Sequence, residues 1–169
     1  EIVSRDWSSD VCSSDLVVLA CGGFEANPEW RARYLQRPWD MARVRGTAYN
    51  TGDGLRMALE LGALPFGQWS GNHGTPIDAD APPFGDRHMT DKTNRLSYPL
   101  GVMVNTDGDR FIDEGEDFQL YTYAKTGGAI LQQPGNVAYQ IFDAKVASLL
   151  EPRYRSEEHT SELQSRETI

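Results

Sequence analysis

The chain has 169 residues, 39% of them hydrophobic and 24% charged, which fits one soluble domain of ordinary size. Its 16 basic and 25 acidic side chains leave a net charge of −9, the wrong sign for gripping phosphate backbones, so no nucleic-acid partner is expected. The longest purely apolar run, Leu16 to Cys21, has 6 residues against the roughly 20 that a membrane-spanning helix needs.

Two cysteines, Cys12 and Cys21, cannot make a disulfide framework, and the acidic, serine-rich N-terminus is unlike a secretory signal. A cytoplasmic, reducing setting is therefore expected. The two ends differ from the middle: 8 of the 11 serines fall in positions 1–16 and 155–169. Asp6 to Leu16 can be encoded by DNA whose reverse complement reads Arg155 to Ser165, an inverted repeat that holds over 11 residues. It resembles the translation of a sequencing-library adapter, so both ends are read as assembly scars and set aside. They carry 3 basic and 8 acidic residues, which leaves residues 17–154 at −4. That core is expected to be an internal piece of a larger protein.

The core opens with Val17-Val-Leu-Ala20, an apolar, β-branched run that predicts a buried strand ending in the Cys21-Gly22-Gly23 turn. Asn27-Pro28 predicts a helix start, with Trp30, Tyr34 and Leu35 as its apolar stripe, Arg31, Arg33 and Arg37 on the solvated face and Pro38 as its stop. Leu55, Ala58, Leu59 and Gly62 have helical spacing behind Asn50-Thr-Gly-Asp-Gly54, and Gly62 is the expected stop. Residues 64–99 are proline-rich and aperiodic, a loop region suited to carrying binding residues. Gly101–Val104 and Arg110–Ile112 around Asn105-Thr-Asp-Gly108 predict a β-hairpin. Tyr121–Gln133 reads as a helix despite Gly127-Gly128, Val137–Phe142 as a strand, and Asp143 as the N-cap of a helix over 144–150. The mixture argues for an α/β fold with an α+β part.

Few residues are set up for chemistry. The Ala20–Gly23 turn lets a ligand approach backbone N–H groups, and a helix N-terminus at Asn50–Gly54 favours an anion there, with Asp53 as an acceptor. The plainer alternatives are a simple turn and a helix capped by Thr51 or Asp53. His73 lies between glycines on a loop, placed to bind a carboxylate or to exchange a proton. Asp113-Glu114 and Glu116-Asp117 read as a solvated turn, and Cys21 as inert packing behind a strand.

Taken in order, Val17-Val-Leu-Ala-Cys-Gly-Gly-Phe24, Asn50-Thr-Gly-Asp-Gly54, His73, Gly101-Val-Met-Val-Asn105 and Asp107-Gly-Asp-Arg-Phe-Ile-Asp-Glu114 resemble the flavoproteins of the fumarate reductase and succinate dehydrogenase family. Tyr121–Lys125 and Ile130–Val146 look most like its FAD-dependent tricarballylate dehydrogenase branch. The resemblance implies a fragment of a Rossmann-like FAD-binding domain over 17–70 and part of a capping, substrate-binding domain over 71–154. It implies FAD contacts at Ala20, Cys21, Gly22, Gly23, Asn50, Thr51, Gly52 and Asp53, with Cys21 where the family has Thr. His73 would bind a carboxylate of a small polycarboxylate substrate, and reduced flavin would pass its electrons to a further acceptor. Related reactions, an unsaturated-acid reductase or a ketosteroid-type dehydrogenase, stay open, as does a non-catalytic anion-binding domain.

The departures are as informative. The family's Gly-x-Gly-x-x-Gly strand and its C-terminal region are absent, so this piece is expected to bind FAD poorly and to be inactive alone. Its Thr-Glu substrate pair is nearer Thr93-Asn94 here, and its proton-delivering arginine falls in Asp117-Phe118-Gln119, which has none. Ser97, Tyr98 and Gln119 are the substitutes the sequence offers for substrate contact.

Overall fold

A computed structural model describes residues 17–89 and 91–154; both arms of the inverted repeat lie outside them. Helix α1, Pro28–Trp30, continues as a π-helical turn, Arg31–Leu35. Asn27 caps it as expected: its side chain accepts from the Trp30 N–H at 3.1 Å. Trp30 and Tyr34 stack with Phe24 and Trp69 in an aromatic cluster, with ring centroids 5.0–6.2 Å apart.

Helix α2, Asp53–Glu60, begins after Gly52 at φ 90° and stops at Gly62. Residues 64–97 are loops, pinned by single bridges such as Val44 to Phe84 and Ile77 to Asn94. Strand β1, Val102–Asn105, pairs antiparallel with β2, Ala138–Ile141, Met103 standing opposite Gln140. Between them runs α3, Gln119–Leu131. Tyr98, Met103, Ile130 and Ala138 are buried where the ribbon and α3 meet, with Leu96, Phe111 and Val137 packed around them.

Several expectations change. Val17–Ala20 forms no strand, and Val17 and Val18 are 67% and 75% exposed. An apolar run becomes a strand only where neighbours satisfy its backbone groups. The sheet among the described residues has two antiparallel strands, β1 and β2, and neither lies beside this run. The architecture is thus mixed helix with a small sheet, and no Rossmann-like parallel sheet is formed among the described residues.

The hairpin is corrected too. Its turn exists: Asn105 Oδ1 accepts from the N–H groups of Asp107 and Asp109, and Gly108 takes φ 85°. Its second strand shrinks to one bridge, Val104 to Arg110, and β1 pairs with distant β2. On the hairpin edge of β1 the Glu114 carboxylate takes the Met103 N–H at 2.5 Å, where a second strand would offer a carbonyl. Glu114 is 2% exposed, so it does not belong to a solvated turn. Burial alone would raise its pKa, but hydrogen bonds from Arg110 and the Met103 N–H outweigh that and hold it below the ordinary value.

Asp143 does cap, accepting from the Lys145 N–H at 2.7 Å, yet only a 3₁₀ turn, Ala144–Val146, follows. Gly127-Gly128, a weakness in a helix by propensity, marks a close approach. A Cβ on Gly127 would lie 2.8 Å from the Thr75 nitrogen, and one on Gly128 3.5 Å from the Trp39 ring.

Candidate functional site

The two glycine turns come together. Gly22 adopts φ 78°, and a Cβ there would sit 2.6 Å from Asn50 Oδ1; one on Gly54 would sit 2.8 Å from Cys21 Cβ. The turns are tied by the Ala26 N–H to the Asn50 carbonyl at 3.0 Å and by Asn27 Nδ2 to the Thr51 carbonyl at 3.1 Å. Asn50 Nδ2 also donates to Glu25 at 2.5 Å. Ala20–Gly23 and Asn50–Asp53 thus form one surface despite their separation in sequence.

That surface keeps its donors open. Gly52 lacks a side chain to cap α2, and the Thr51 hydroxyl donates to Asp53 at 3.1 Å instead of turning back to the helix. Neither Thr51 nor Asp53 caps the helix, so its first turn has no side-chain acceptor, and Gly52 and Gly54 pack against Phe24, Trp30 and Cys21. Cys21 is a free, exposed thiol leaning on Gly54, which corrects the expectation of packing behind a strand.

His73 stands apart from this surface, in a cleft of about 740 Å³ built from residues 39–46, 72–79 and α3. Its Nε2 lies 2.6 Å from the Tyr123 hydroxyl, and the two rings meet edge to face at 4.9 Å. Tyr123 is fixed by α3, and Gly127 one turn later lets the backbone of Gly74 and Thr75 pass close by, so α3 sets the position of the His73 loop. Sequence reasoning did not single out Tyr123. Its helical position was legible, but its partner lies 50 residues away.

The other proposed substrate contacts lie within the fold. Tyr98 is 1% exposed and its hydroxyl is 2.5 Å from that of Thr122. The Ser97 hydroxyl accepts from the Glu151 N–H at 3.1 Å, its N–H donates to the Tyr154 hydroxyl, and Gln119 donates to the Leu96 carbonyl at 3.0 Å. Tyr98 and His73 are bonded to successive α3 residues, Thr122 and Tyr123. Asn94 lines the cleft with a buried, unpartnered Oδ1.

Arg31 corrects another expectation: it is 6% exposed rather than solvated. Its guanidinium donates to the carbonyls of Trp39 at 2.8 Å and Ala42 at 2.6 Å, which organises the 39–42 turn. Burial lowers its pKa from the usual arginine range, opposed by the nearby Asp40 carboxylate.

No protein-family model matches the chain. It is 40% identical over 129 residues to a probable fumarate reductase of Shewanella frigidimarina, covering 75% of this chain and 19% of that protein. It is 32% identical over 136 residues to a 3-oxosteroid 1-dehydrogenase of Mycobacterium tuberculosis, covering 76% and 23%. The structure is similar to the open conformation of a flavocytochrome c3 fumarate reductase, with a TM-score of 0.56 and 33% identity over 79% of this chain and 21% of that one. The chain thus spans about a fifth of the length of these proteins. No helix among the described residues is long and apolar enough to cross a membrane.

Proposed function

The chain belongs, over part of their length, with the FAD-dependent flavoproteins of the fumarate reductase and succinate dehydrogenase family, and from that premise we propose that it is a segment of an oxidoreductase that dehydrogenates a small, tricarballylate-like polycarboxylate. The observation that carries this reading is the joining of the Gly22 and Gly52 turns beside an uncapped helix N-terminus. A helix N-terminus without a side-chain cap suits the polar edge of a flavin, and the exposed Asp53 carboxylate adds an acceptor. FAD held there would supply the hydride acceptor.

The chain's own residues have two tasks in this reading. Ala20–Gly23 and Asn50–Asp53 hold the cofactor edge, and His73, oriented by Tyr123, binds a substrate carboxylate. Residues 17–70 would then be the end of the FAD domain and 71–154 part of the cap. Reduced flavin needs a further electron acceptor, and the cysteine usage favours the cytoplasm.

Recovering the source reading frame across Leu16–Val17 and Tyr154–Arg155 and producing the protein it encodes tests the proposal. The expected product is a yellow protein that reduces a dye with tricarballylate and loses this activity in His73→Ala. A product that retains no flavin, or serine-rich ends encoded in the source, would sink the flavoenzyme reading.

A further inference from the structure

The cleft that holds His73 also carries arginines that the fold leaves without carboxylate partners. Val44 is bridged to Phe84, its N–H donates to the Pro83 carbonyl at 2.9 Å, and it is buried. Arg43 and Arg45 flank it, Arg45 opening a bend that runs into Gly46. Both line the cleft and are exposed, and no ion pair among the described residues uses either. Their backbone is held close: Gly85 donates to the Gly46 carbonyl at 2.8 Å and packs on the Arg45 carbonyl.

Of the acidic residues lining the cleft, Asp78 is paired with Arg95, while Glu25 accepts from the uncharged Asn50 amide and lies beside Gly46. Two further polar atoms on the cleft, Arg31 Nε and Thr75 Oγ1, are buried without a hydrogen-bond partner, as a site completed by a ligand or water would leave them. With Asp78 paired to Arg95, the lining sets Arg31, Arg43 and Arg45 against Glu25, a local cationic excess on a chain of net charge −9.

We propose that Arg43 and Arg45 form a second carboxylate-binding edge of this cleft, so that together with His73 it selects substrates bearing two or more carboxylates. This rests on reading the cleft as the substrate site of the proposed dehydrogenase. Guanidinium groups on a pinned backbone suit bidentate contacts to carboxylates, and lysine would keep the charge but lose that geometry.

The test uses the 169-residue chain with propane-1,2,3-tricarboxylate, glutarate and butyrate as probes, followed by calorimetry and by the His73 ring signals in NMR spectra. The tricarboxylate is expected to bind tighter than butyrate. Arg43→Gln and Arg45→Gln should each weaken tricarboxylate binding about tenfold, leave butyrate unchanged, and reduce the salt dependence. Arg43→Lys and Arg45→Lys, which retain the charge, should fall between. Unchanged tricarboxylate affinity in the glutamine variants, or no tricarboxylate binding by the wild type, overturns the proposal. In the longer flavoprotein the two readings separate: turnover with an unaltered KM in Arg43→Gln removes the arginine edge alone, and arginine-dependent binding without turnover removes the dehydrogenase alone.

Discussion

Residues 71–154 gather their apolar side chains into one place, where Tyr98, Met103, Ile130 and Ala138 are each under 5% exposed and buried polar groups such as Glu114 and Gln140 are bonded around them. Residues 17–70 bury Ala26, Leu35 and Val44 without joining them into such a cluster, and leave Val18 75%, Leu61 89% and Phe66 93% exposed. What organises the first region is a set of separate contacts, namely the aromatic cluster on Phe24, the Arg31 bonds to the 39–42 turn and the glycine contacts at Gly22, Gly52 and Gly54. The contrast teaches that an apolar pattern specifies an element only when its partner is at hand. A close glycine contact or one buried guanidinium can fix a segment where no such apolar partner is present.

The sharpest way to break this contrast is at the joint between the regions. A Cβ on Gly85 would fall 1.6 Å from the Arg45 carbonyl oxygen, backbone that cannot step aside. Gly85→Ala should cost about 3 kcal/mol or more and lower Tm by roughly 10 °C, seen by calorimetry. If the loss is near zero, residues 43–46 are not held by residues 84–85.

The second region should respond most to its buried carboxylate. Glu114→Ala leaves the Met103 N–H without its acceptor and should cost about 3 kcal/mol at neutral pH, and Glu114→Gln about half that. The exposed end of the Arg110 pair adds little to this, because solvent screens it. Since the folded pKa lies below the ordinary 4.5, the stabilisation is complete above that pH and is lost as pH falls through the folded value. Melting curves from pH 7 to pH 3 should therefore show wild type and Glu114→Gln converging at the acid end.

How much of this was legible follows from the range of each interaction. The Asn27 cap, the Asp143 cap, α2 with its Gly62 stop and the Asn105–Gly108 turn rest on neighbours within a few residues and were readable. The partner of β1 was not, because β2 is distant in sequence, and nothing local showed that the Glu114 carboxylate would take the Met103 N–H on the hairpin edge. Arg31 was misjudged for a related reason: its acceptors are carbonyls of the 39–42 turn, which carry no side-chain signature. The Arg43-Val44-Arg45 alternation was visible in the sequence, and only the bridge to Phe84 tells which face is buried. His73 stood out by its glycine flanks, and its partner Tyr123 did not.

A smaller effect tests the separate contacts ascribed to the first region. Asn27→Ala removes both the α1 cap and the tie to the Thr51 carbonyl, and should cost about 1 kcal/mol in a urea titration. Because the same side chain joins the two glycine turns, the loss should be accompanied by shifts in the amide signals of Gly22, Gly23 and Gly52. Shifts confined to α1 would mean that the turns hold each other without it.

The smallest change in stability belongs to Tyr123→Phe, and it separates positioning from packing. The ring keeps its edge-to-face contact with His73, so the core beneath α3 is undisturbed, and only one hydrogen bond at an exposed site is lost. Stability should fall by less than about 1 kcal/mol. The His73 ring nitrogens should respond far more, because the hydroxyl 2.6 Å from Nε2 is their hydrogen-bond partner, and a phenol that donates there leaves the proton on Nδ1. Nitrogen chemical shifts of His73 read this directly: a single tautomer in the wild type and a mixture in Tyr123→Phe are the expected pair. Identical nitrogen shifts in the two proteins would mean that the loop alone, through Gly74 and the close pass of Thr75 against Gly127, sets the imidazole.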